Sequence, residues 1–461
     1  MKPGAGMNDD PKNFAAVADQ FRNAELKWSC YNVVSEMDDG AVVWNTRTGA
    51  IVLLDRNHVC ELSDFFLQPG AAKEGSFVSE FAKLGFLAPF TLDERQAVAS
   101  TFRQGEGYLQ LTILPTTFCN FQCIYCYEDF SNSLSMSQEV EGMITSLVQK
   151  QFDMRPSIRT LVVSWFGGEP LINLGSIERL SSSFQKLCQS RGIAYSSGIT
   201  TNGYLLDRTT FLDLVEHGVS SFQITLDGVA KNHNAHRPLR NGDATFETIT
   251  GNLNDIARLT SDYQIVIRSN FDRDNVKEAE DFVSWFEGLF KNDSRFSFYF
   301  AAIYRSGTQK DECINFCSNG SEINDDISYV LDLALEHGIL HYYSPTPEPK
   351  PAYCAAVMPN SLVIKPDGSL YKCTLLLNPK DRIGDLESSG DVTLTDNIDL
   401  WRDYSYANDT ECKTCVLLPV CHGGCPNARL GGHRGCLCTL ETAKRAMNLY
   451  CLSQKQKRGG E

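Results

Sequence analysis

Hydrophobic and polar residues alternate along the middle of the chain in a pattern that predicts strands joined by helices. Six short β-prone runs are expected as strands: residues 109–116, 160–166, 194–200, 222–227, 264–270 and 296–302. Helical spacing of apolar residues lies between them, as in 141–152, 177–187, 205–217 and 276–290. Because such alternation favours a parallel sheet, we predict an α/β fold with a partial (β/α)6 TIM-like barrel, and chemistry at the carboxyl ends of its strands.

Smaller modules are predicted on both sides of the barrel. Before it, three strands (31–34, 41–44, 51–54) and two helices (59–67, 77–84) are expected, with Gly85 ending the second helix. After it, the proline-rich run 345–351 predicts a linker, and the remainder is poor in long elements and would need bound metal to fold. We therefore divide the chain into 1–104, 105–344 and 345–461.

Composition excludes several classes of protein. Of 461 residues, 42% are hydrophobic and 21% are charged, which excludes a disordered chain. The formal charge of −15 disfavours nucleic acid as a partner, because such binding needs a basic footprint. We expect no transmembrane helix, no signal peptide, no membrane partner and a cytoplasmic location. In that setting, 17 cysteines favour metal or cluster ligands over disulfides.

The first barrel strand leads into three closely spaced cysteines. Cys119, Cys123 and Cys126 have the spacing C-x3-C-x2-C, and Tyr125 precedes the third. Three thiolates in one loop can hold three irons of a 4Fe–4S cluster, which leaves the fourth iron open to a small-molecule chelator. A zinc knuckle and cysteines placed by chance are the alternatives.

This motif resembles the signature of the radical S-adenosylmethionine (SAM) superfamily. The resemblance implies that SAM binds the open iron and is cleaved to a 5′-deoxyadenosyl radical that abstracts hydrogen from the substrate. It implies contacts to the SAM amino group from the run after the second strand: Gly167, Gly168, Glu169 and Pro170. There, two glycines would allow the backbone to approach a ligand closely. Thr201 and Asn202 would contact the ribose or carboxylate, an ordinary Asn-Gly turn being the alternative.

Polar residues alternate with apolar ones along the fourth and fifth predicted strands. One face carries Gln223, Thr225 and Asp227 on the fourth strand, and Arg268 and Asn270 on the fifth. If these faces look into the barrel, Arg268 can grip the SAM carboxylate and Asp227 is the candidate general base. Satisfied structural polar groups are the alternative. His233 and His236 are predicted to lie in a solvated loop.

A second cysteine group lies near the carboxyl end. It comprises Cys354, Cys373, Cys412, Cys415, Cys421, Cys425, Cys436, Cys438 and Cys451. Together with Gly368 and the Gly423-Gly424-Cys425-Pro426 run, it resembles the SPASM domain of radical SAM enzymes that modify peptides and proteins. The resemblance implies two auxiliary 4Fe–4S clusters.

The implied ligands divide between those two clusters. Cys354, Cys373 and Cys425 would hold the first, which has an open iron or takes Cys438. Cys412, Cys415 and Cys421 would hold the second, with Cys436 or Cys438 as its last ligand. Two structural zinc sites are the alternative.

Two features favour a peptide substrate. Sulfatase maturases typically carry Asp directly after the second SPASM cysteine, whereas Thr374 follows Cys373. The amino-terminal module resembles the recognition element of ribosomally made, modified peptides (RiPPs), which adds a leader peptide to its sheet edge. A structural cap on the barrel is the alternative.

We therefore predict a maturase that forms a thioether, ether or carbon–carbon crosslink, or a related oxidative change, in a ribosomally made precursor. Its electron donor would be of the flavodoxin or ferredoxin type. Sulfatase-maturase-like protein modification, and an electron-transfer or scaffold protein that never cleaves SAM, are the alternatives.

Overall fold

The chain folds into two compact units. The computed structural model describes residues 25–37, 40–67, 74–101, 107–128, 133–272, 275–303, 326, 329–330, 332–333, 337, 354–402, 404, 410–431 and 440–459. The first unit holds the described residues of Met1–Gln104 and Ser405–Glu461, and the second those of Gly105–Tyr343 and Cys354–Tyr404. The predicted third part, 345–461, is thus shared between the two units, and the three-part division by function stays a prediction.

The amino-terminal residues form two small sheets. β1 (Leu26–Trp28) pairs antiparallel with β5 (Leu87–Pro89). A three-stranded antiparallel sheet has the order β2 (Asn32–Met37), β3 (Gly40–Asn45), β4 (Ile51–Asp55). The helices are α1 (Arg56–Leu67), α2 (Phe77–Lys83) and α3 (Glu94–Thr101). The predicted three strands and two helices are present, and β1, β5 and α3 come in addition.

Six parallel strands in chain order form the barrel. They are β6 (Tyr108–Ile113), β7 (Thr160–Trp165), β8 (Ala194–Thr201), β9 (Val219–Thr225), β10 (Gln264–Phe271) and β11 (Phe296–Ala302). The helices are α4 (Gln138–Met154), α5 (Leu174–Arg191), α6 (Arg208–Glu216), α7 (Ala230–His236), α8 (Phe246–Ala257) and α9 (Ala279–Phe290). Each strand pairs in parallel with its neighbours in sequence, which confirms the predicted fold class.

Alternating side chains direct one face of each barrel strand to the helices and the other to the interior. In β9, Phe222 and Ile224 are fully buried, and the ring centroid of Phe222 lies 4.8 Å from that of Phe211 in α6. Gln223 and Thr225 point the opposite way and line the interior cavity. The polar residues therefore occupy positions that the apolar core does not use.

The barrel sheet continues past β6 into the later part of the chain. β12 (Ser361–Ile364) pairs in parallel with β6, and β13 (Ser369–Tyr371), β14 (Gly384–Leu386) and β15 (Val392–Leu394) follow antiparallel, which makes ten strands. Gly368, with φ +82°, closes the turn between β12 and β13. The short helix α10 (Asp399–Arg402) ends this segment. Residues 354–402 thus share the core of the barrel through its sheet.

The last described segment packs on the amino-terminal sheet within the first unit. It contains α11 (Thr410–Thr414), α12 (Leu418–Cys421), α13 (Pro426–Leu430) and α14 (Leu440–Gly459). One buried cluster joins residues from both ends of the chain: Val33, Val42, Trp44, Leu417, Val420, Ala443, Met447 and Cys451. Among the helices described, none combines the length and apolar character that a membrane span requires.

Candidate active site

A cavity of about 390 Å³ lies at the carboxyl ends of the barrel strands. The predicted residues on its wall are Cys119, Cys123, Cys126, Tyr125, Gly167, Gly168, Thr201, Asn202, Gln223, Arg268 and Asn270. Glu169, Pro170 and Asp227 lie behind this wall rather than on it. The three cysteines of the first motif, the Gly167–Gly168 turn and polar groups from three strands are therefore brought to one site.

Backbone hydrogen bonds fix the cysteine loop to the last residue of α7 and to the residues that follow it. The amide of Ile124 donates to the carbonyl of His236 at 3.0 Å. The amide of Phe121 donates to Cys119 Sγ at 3.4 Å. Burial raises the pKa of the Cys119 and Cys126 thiols to about 12. Iron cations are the kind of partner that stabilises such buried thiols as thiolates, so this donor set fits a cluster.

Gly167 and Gly168 are required by close packing of the cysteine loop itself. A Cβ on Gly168 would lie 2.3 Å from the carbonyl oxygen of Phe118, and one on Gly167 would lie 2.3 Å from that of Thr116. Gly167 also has φ +119°, which disfavours other residues. The close approach expected from the sequence therefore involves at least the protein's own backbone, and it positions Cys119 against the end of β7.

Glu169 connects the ends of β7 and β8. Its fully buried carboxylate accepts hydrogen bonds from the amide of Leu171 at 3.0 Å, the hydroxyl of Thr201 at 2.7 Å and the amide of Asn202 at 2.8 Å. Burial raises the pKa of Glu169, against these hydrogen bonds. Glu169 thereby holds Thr201 and Asn202 in the cavity wall, and its contact with the SAM amino group stays a prediction.

A buried polar network lies around Tyr125. Its hydroxyl donates to Asp227 Oδ2 at 2.6 Å and accepts from Arg237 Nη1 at 2.7 Å and Asn270 Nδ2 at 2.9 Å. Against the effect of burial, the His236 imidazole and the Arg237 guanidinium hold the pKa of Asp227 below its usual range. These contacts favour a role for Asp227 in orienting Tyr125, and its role as a general base stays a prediction.

The prediction that His233 and His236 lie in a solvated loop is wrong. Both belong to α7, and His233 is fully buried. Its Nδ1 accepts from the amide of Asp227 at 3.2 Å, while Nε2 contacts the Thr245 hydroxyl at 3.1 Å. Since that hydroxyl donates to the carbonyl of Arg237, we assign Nε2 as the donor. Residues 231–236 have almost no apolar side chains, so hydrophobic periodicity could not reveal this helix.

Buried, neutral His233 predicts a stability that depends on pH. Burial and the Arg237 charge lower its pKa from 6.5 to about 3, so between these values the unfolded chain binds more protons than the folded chain. Its contribution to stability is complete above about pH 6.5 and is lost as the pH falls toward 3. His233→Gln retains a donor for Thr245 and cannot titrate, so its stability should depend less on pH. Urea midpoints at about pH 7.5, 6 and 5 test this; equal pH dependence in both proteins would contradict it.

Two charged residues on the cavity wall carry no motif in the sequence, Arg237 and Glu128. Arg237 is 8% exposed, and its Nε is buried without a hydrogen-bond partner among the described residues. A buried guanidinium with an unused donor fits an anionic group such as the SAM carboxylate. Glu128 is the second residue after Cys126, and burial raises the pKa of its carboxyl to about 7, against the charge of Lys365. In the sequence, Glu128 could be recognised only by its position shortly after the cysteine motif.

The segment after Cys373 reaches the same cavity. Thr374 and Leu375 line it together with the three motif cysteines. The amide of Leu376 donates to the carbonyl of Cys373 at 3.1 Å, which closes a tight turn there. Thr374, the residue directly after Cys373, is therefore part of the site. Its side chain carries a hydroxyl rather than a carboxylate.

The remaining predicted cluster ligands are distributed over both units. Cys354 and Cys373 belong to the second unit, and Cys412, Cys415, Cys421 and Cys425 belong to the first. In the first unit, Arg429 Nη2 donates to Cys412 Sγ at 3.0 Å. Cys436 and Cys438 lie outside the described residues. The grouping of these cysteines into two clusters stays a prediction.

Comparison with known proteins identifies the chemistry of the cavity. Residues 113–285, which include the three motif cysteines and the polar faces of β9 and β10, match the radical SAM superfamily. Residues 113–285 are a radical SAM domain. The radical SAM cofactors are a 4Fe–4S cluster and SAM, as the motif predicts.

Similar proteins include anaerobic sulfatase-maturating enzymes. The serine-type enzyme of Klebsiella aerogenes is 22% identical over 323 residues, which cover 67% of this chain and 77% of that one. The cysteine-type enzyme of Clostridium perfringens (strain 13 / Type A) is 23% identical over 376 residues, or 76% and 95% of the two chains. The solved structure of native anSMEcpe with bound AdoMet and Cp18Cys peptide covers 75% of this chain and 99% of its own chain, at 18% identity and a TM-score of 0.54. That likeness supports the fold.

Proposed function

We propose that this radical SAM enzyme is a peptide maturase that crosslinks a ribosomally made precursor. The observation that carries the proposal is Thr374 on the cavity wall, directly after Cys373. Sulfatase maturases typically have Asp at the position after that cysteine, and a hydroxyl cannot replace a carboxylate as a base at neutral pH. The site has the residues expected for radical generation. It differs from sulfatase maturases at Thr374, the position where their catalytic base is expected.

The residues on the cavity wall divide the work of holding the cofactors. Cys119, Cys123 and Cys126 would ligate three irons, and Arg237 or Arg268 would bind the SAM carboxylate. Together, the bound cofactors supply a 5′-deoxyadenosyl radical that abstracts a hydrogen atom from the substrate. The Tyr125 network and the Gly167–Gly168 turn hold the cysteine loop in place.

Crosslinking removes two hydrogen atoms from the peptide. The first is abstracted by the radical, and the second leaves as a proton and an electron when the new bond forms. Glu128 lies on the cavity wall and is the carboxylate placed to accept that proton; Asp227 lies behind the wall and would need a relay through Tyr125. The later cysteines would hold auxiliary clusters, which would supply an acceptor for that electron. A flavodoxin- or ferredoxin-type protein would supply the electron that starts the reaction.

The amino-terminal module would hold the leader of the precursor. β3 is the central strand of its three-stranded sheet, so β2 and β4 are the outer strands. An extended peptide can add to such an edge through main-chain hydrogen bonds. The order of three strands followed by helices supports this assignment.

Sulfatase-type modification is the second candidate. The similar proteins from Klebsiella aerogenes and Clostridium perfringens favour it. Glu128 would then supply the carboxylate that Thr374 does not. The two candidates use the same radical and differ in the substrate held above the cavity.

Iron content and SAM cleavage test the cofactor assignment. After anaerobic reconstitution, the intact chain should hold about twelve irons and the Cys119→Ala, Cys123→Ala, Cys126→Ala triple variant about eight. Only the former should release 5′-deoxyadenosine after reduction. Cys188→Ala is the matched control, because Cys188 is buried in α5 away from the cavity. Full iron without SAM cleavage would favour the electron-transfer alternative.

Mass spectrometry distinguishes the two substrates. The enzyme is incubated with a short peptide encoded next to its gene and, separately, with a sulfatase-derived peptide that carries Cys or Ser. We expect the first peptide to lose two hydrogen atoms and to yield a crosslinked fragment. An aldehyde in the sulfatase peptide, with the other peptide unchanged, would overturn the proposal in favour of the second candidate.

A further inference from the structure

A tyrosine hydroxyl in the first unit is buried without a hydrogen-bond partner among the described residues. Tyr31 precedes β2 and is 2% exposed. Its Oη is inaccessible to solvent and bonds to no described atom. Buried hydroxyl groups in folded proteins are nearly always paired. An acceptor on a bound ligand would satisfy this hydroxyl.

The surroundings of Tyr31 indicate which ligand this is. Tyr31 packs in one buried cluster with Val98 of α3, Leu418 of α12, and the two cysteines of the C-x2-C pair, Cys412 and Cys415. Thiolates and bridging sulfides are hydrogen-bond acceptors. The tyrosine therefore lies beside two of the four predicted ligands of the second auxiliary cluster.

Hydrogen bonds hold Tyr31 against this cysteine pair. The amide of Thr46 donates to the carbonyl of Tyr31 at 3.0 Å, and the Thr46 hydroxyl donates to the carbonyl of Val416. Arg95 in α3 donates through Nη1 to the carbonyl of Lys413, between the two cysteines. The contact between Tyr31 and the cysteines is thus anchored on both sides.

The nearby carboxylate is already occupied. Glu94 accepts from the Ser29 hydroxyl at 2.6 Å on Oε1 and from the amide of Cys30 at 3.1 Å on Oε2. Arg47 Nε lies 3.4 Å from Oε1 as well. Glu94 therefore has defined partners other than Tyr31, and the hydroxyl is left for a different acceptor.

We propose that Tyr31 donates a hydrogen bond to a sulfur atom of the iron–sulfur cluster held by Cys412, Cys415 and Cys421. This inference rests on the proposed function, which places an auxiliary cluster there. Hydrogen bonds to cluster sulfurs favour the more negative, reduced state and so raise the reduction potential. Through this contact, Tyr31 of the amino-terminal module would raise the reduction potential of the cluster that accepts the electron.

Tyr31→Phe tests the hydrogen bond with little change in packing. In the reconstituted full chain, redox titration followed by electron paramagnetic resonance should show one cluster with a lower midpoint potential and the others unchanged. Iron content should stay at about twelve per chain. Tyr263→Phe is the matched control, because Tyr263 is equally buried and its hydroxyl donates to the carbonyl of Ile256 at 2.8 Å in the barrel unit. It should leave all midpoints unchanged.

Val98→Ala separates packing from hydrogen bonding, since it loosens the same cluster and keeps the hydroxyl. A shift in Tyr31→Phe that Val98→Ala does not reproduce supports the inference. Unchanged midpoints in Tyr31→Phe, or equal iron loss in Tyr31→Phe and Val98→Ala, would overturn it. If a Cys412→Ala, Cys415→Ala, Cys421→Ala variant retains all the iron of the intact chain, the inference fails together with the proposed auxiliary cluster. SAM cleavage by the intact chain then shows whether the radical SAM assignment still stands.

Discussion

Gly168→Ala is expected to lower SAM cleavage by about 100-fold or more and to reduce iron binding in the barrel. The new Cβ would lie 2.3 Å from the carbonyl oxygen of Phe118, 2.6 Å from its carbonyl carbon and 2.7 Å from the carbonyl oxygen of Thr117. All three are backbone atoms, so no side chain can rotate away. The loop that carries Cys119 must move instead, and displacement of a ligand by about an ångström is enough for a loss of this size.

Gly142→Ala is the matched control for this substitution. Gly142 lies in α4, and a Cβ there would meet nothing within 4 Å. Alanine in a helix interior should raise stability by about 0.5–1 kcal/mol and leave iron content and 5′-deoxyadenosine formation unchanged. If Gly168→Ala behaves like this control, the loop is not packed against β7 as described.

Arg237→Met is expected to weaken SAM binding by about 10- to 100-fold, the usual value of a buried hydrogen bond to a charged group. The substitution removes the cation on the cavity wall and the donor that Arg237 Nη1 provides to Tyr125. Methionine fills a similar volume, so the effect on folding should be smaller than the effect on binding. Equilibrium dialysis of SAM against the anaerobic holoenzyme measures it.

Comparison with Arg268→Met shows which of the two arginines binds the SAM carboxylate. Arg268 also lines the cavity, but its Nε already donates to Asn270 Oδ1 at 2.8 Å, and its guanidinium lies 6.0 Å from the ring centroid of Tyr299. We expect a smaller loss of affinity than for Arg237→Met. A larger loss would restore the assignment of the carboxylate to Arg268 that the sequence suggests.

The barrel could be predicted because the sequence of each strand shows which of its side chains are buried in the apolar core. In β9 and β10, polar and apolar residues alternate with period 2, so the sequence predicts that the polar residues of each strand share one face. The structure shows that Gln223 and Arg268 on these faces line the cavity. The strand predicted over 296–302 is observed with the same bounds. The cysteine motif could be recognised for a similar reason, since its ligands lie within one short loop.

The remaining features depend on contacts between distant residues. Arg237 enters the cavity from the end of a helix that has almost no apolar periodicity, so neither its helix nor its direction is visible in the sequence. The same holds for β12, which joins the barrel only because residues 361–364 pair with 110–113. The neighbourhood of Tyr31 and Cys412 is a contact across most of the chain, which no local pattern predicts.

The discontinuous first unit has a consequence for synthesis. Val33, Val42 and Trp44 leave the ribosome early, but Met447 and Cys451, which cover them, are made only after the whole barrel. The barrel can therefore fold while this apolar sheet face is still exposed, although amino-terminal modules usually fold first. The cysteines at 412, 415 and 421 are also made after the barrel. The first unit is thus completed only after the barrel has been synthesised.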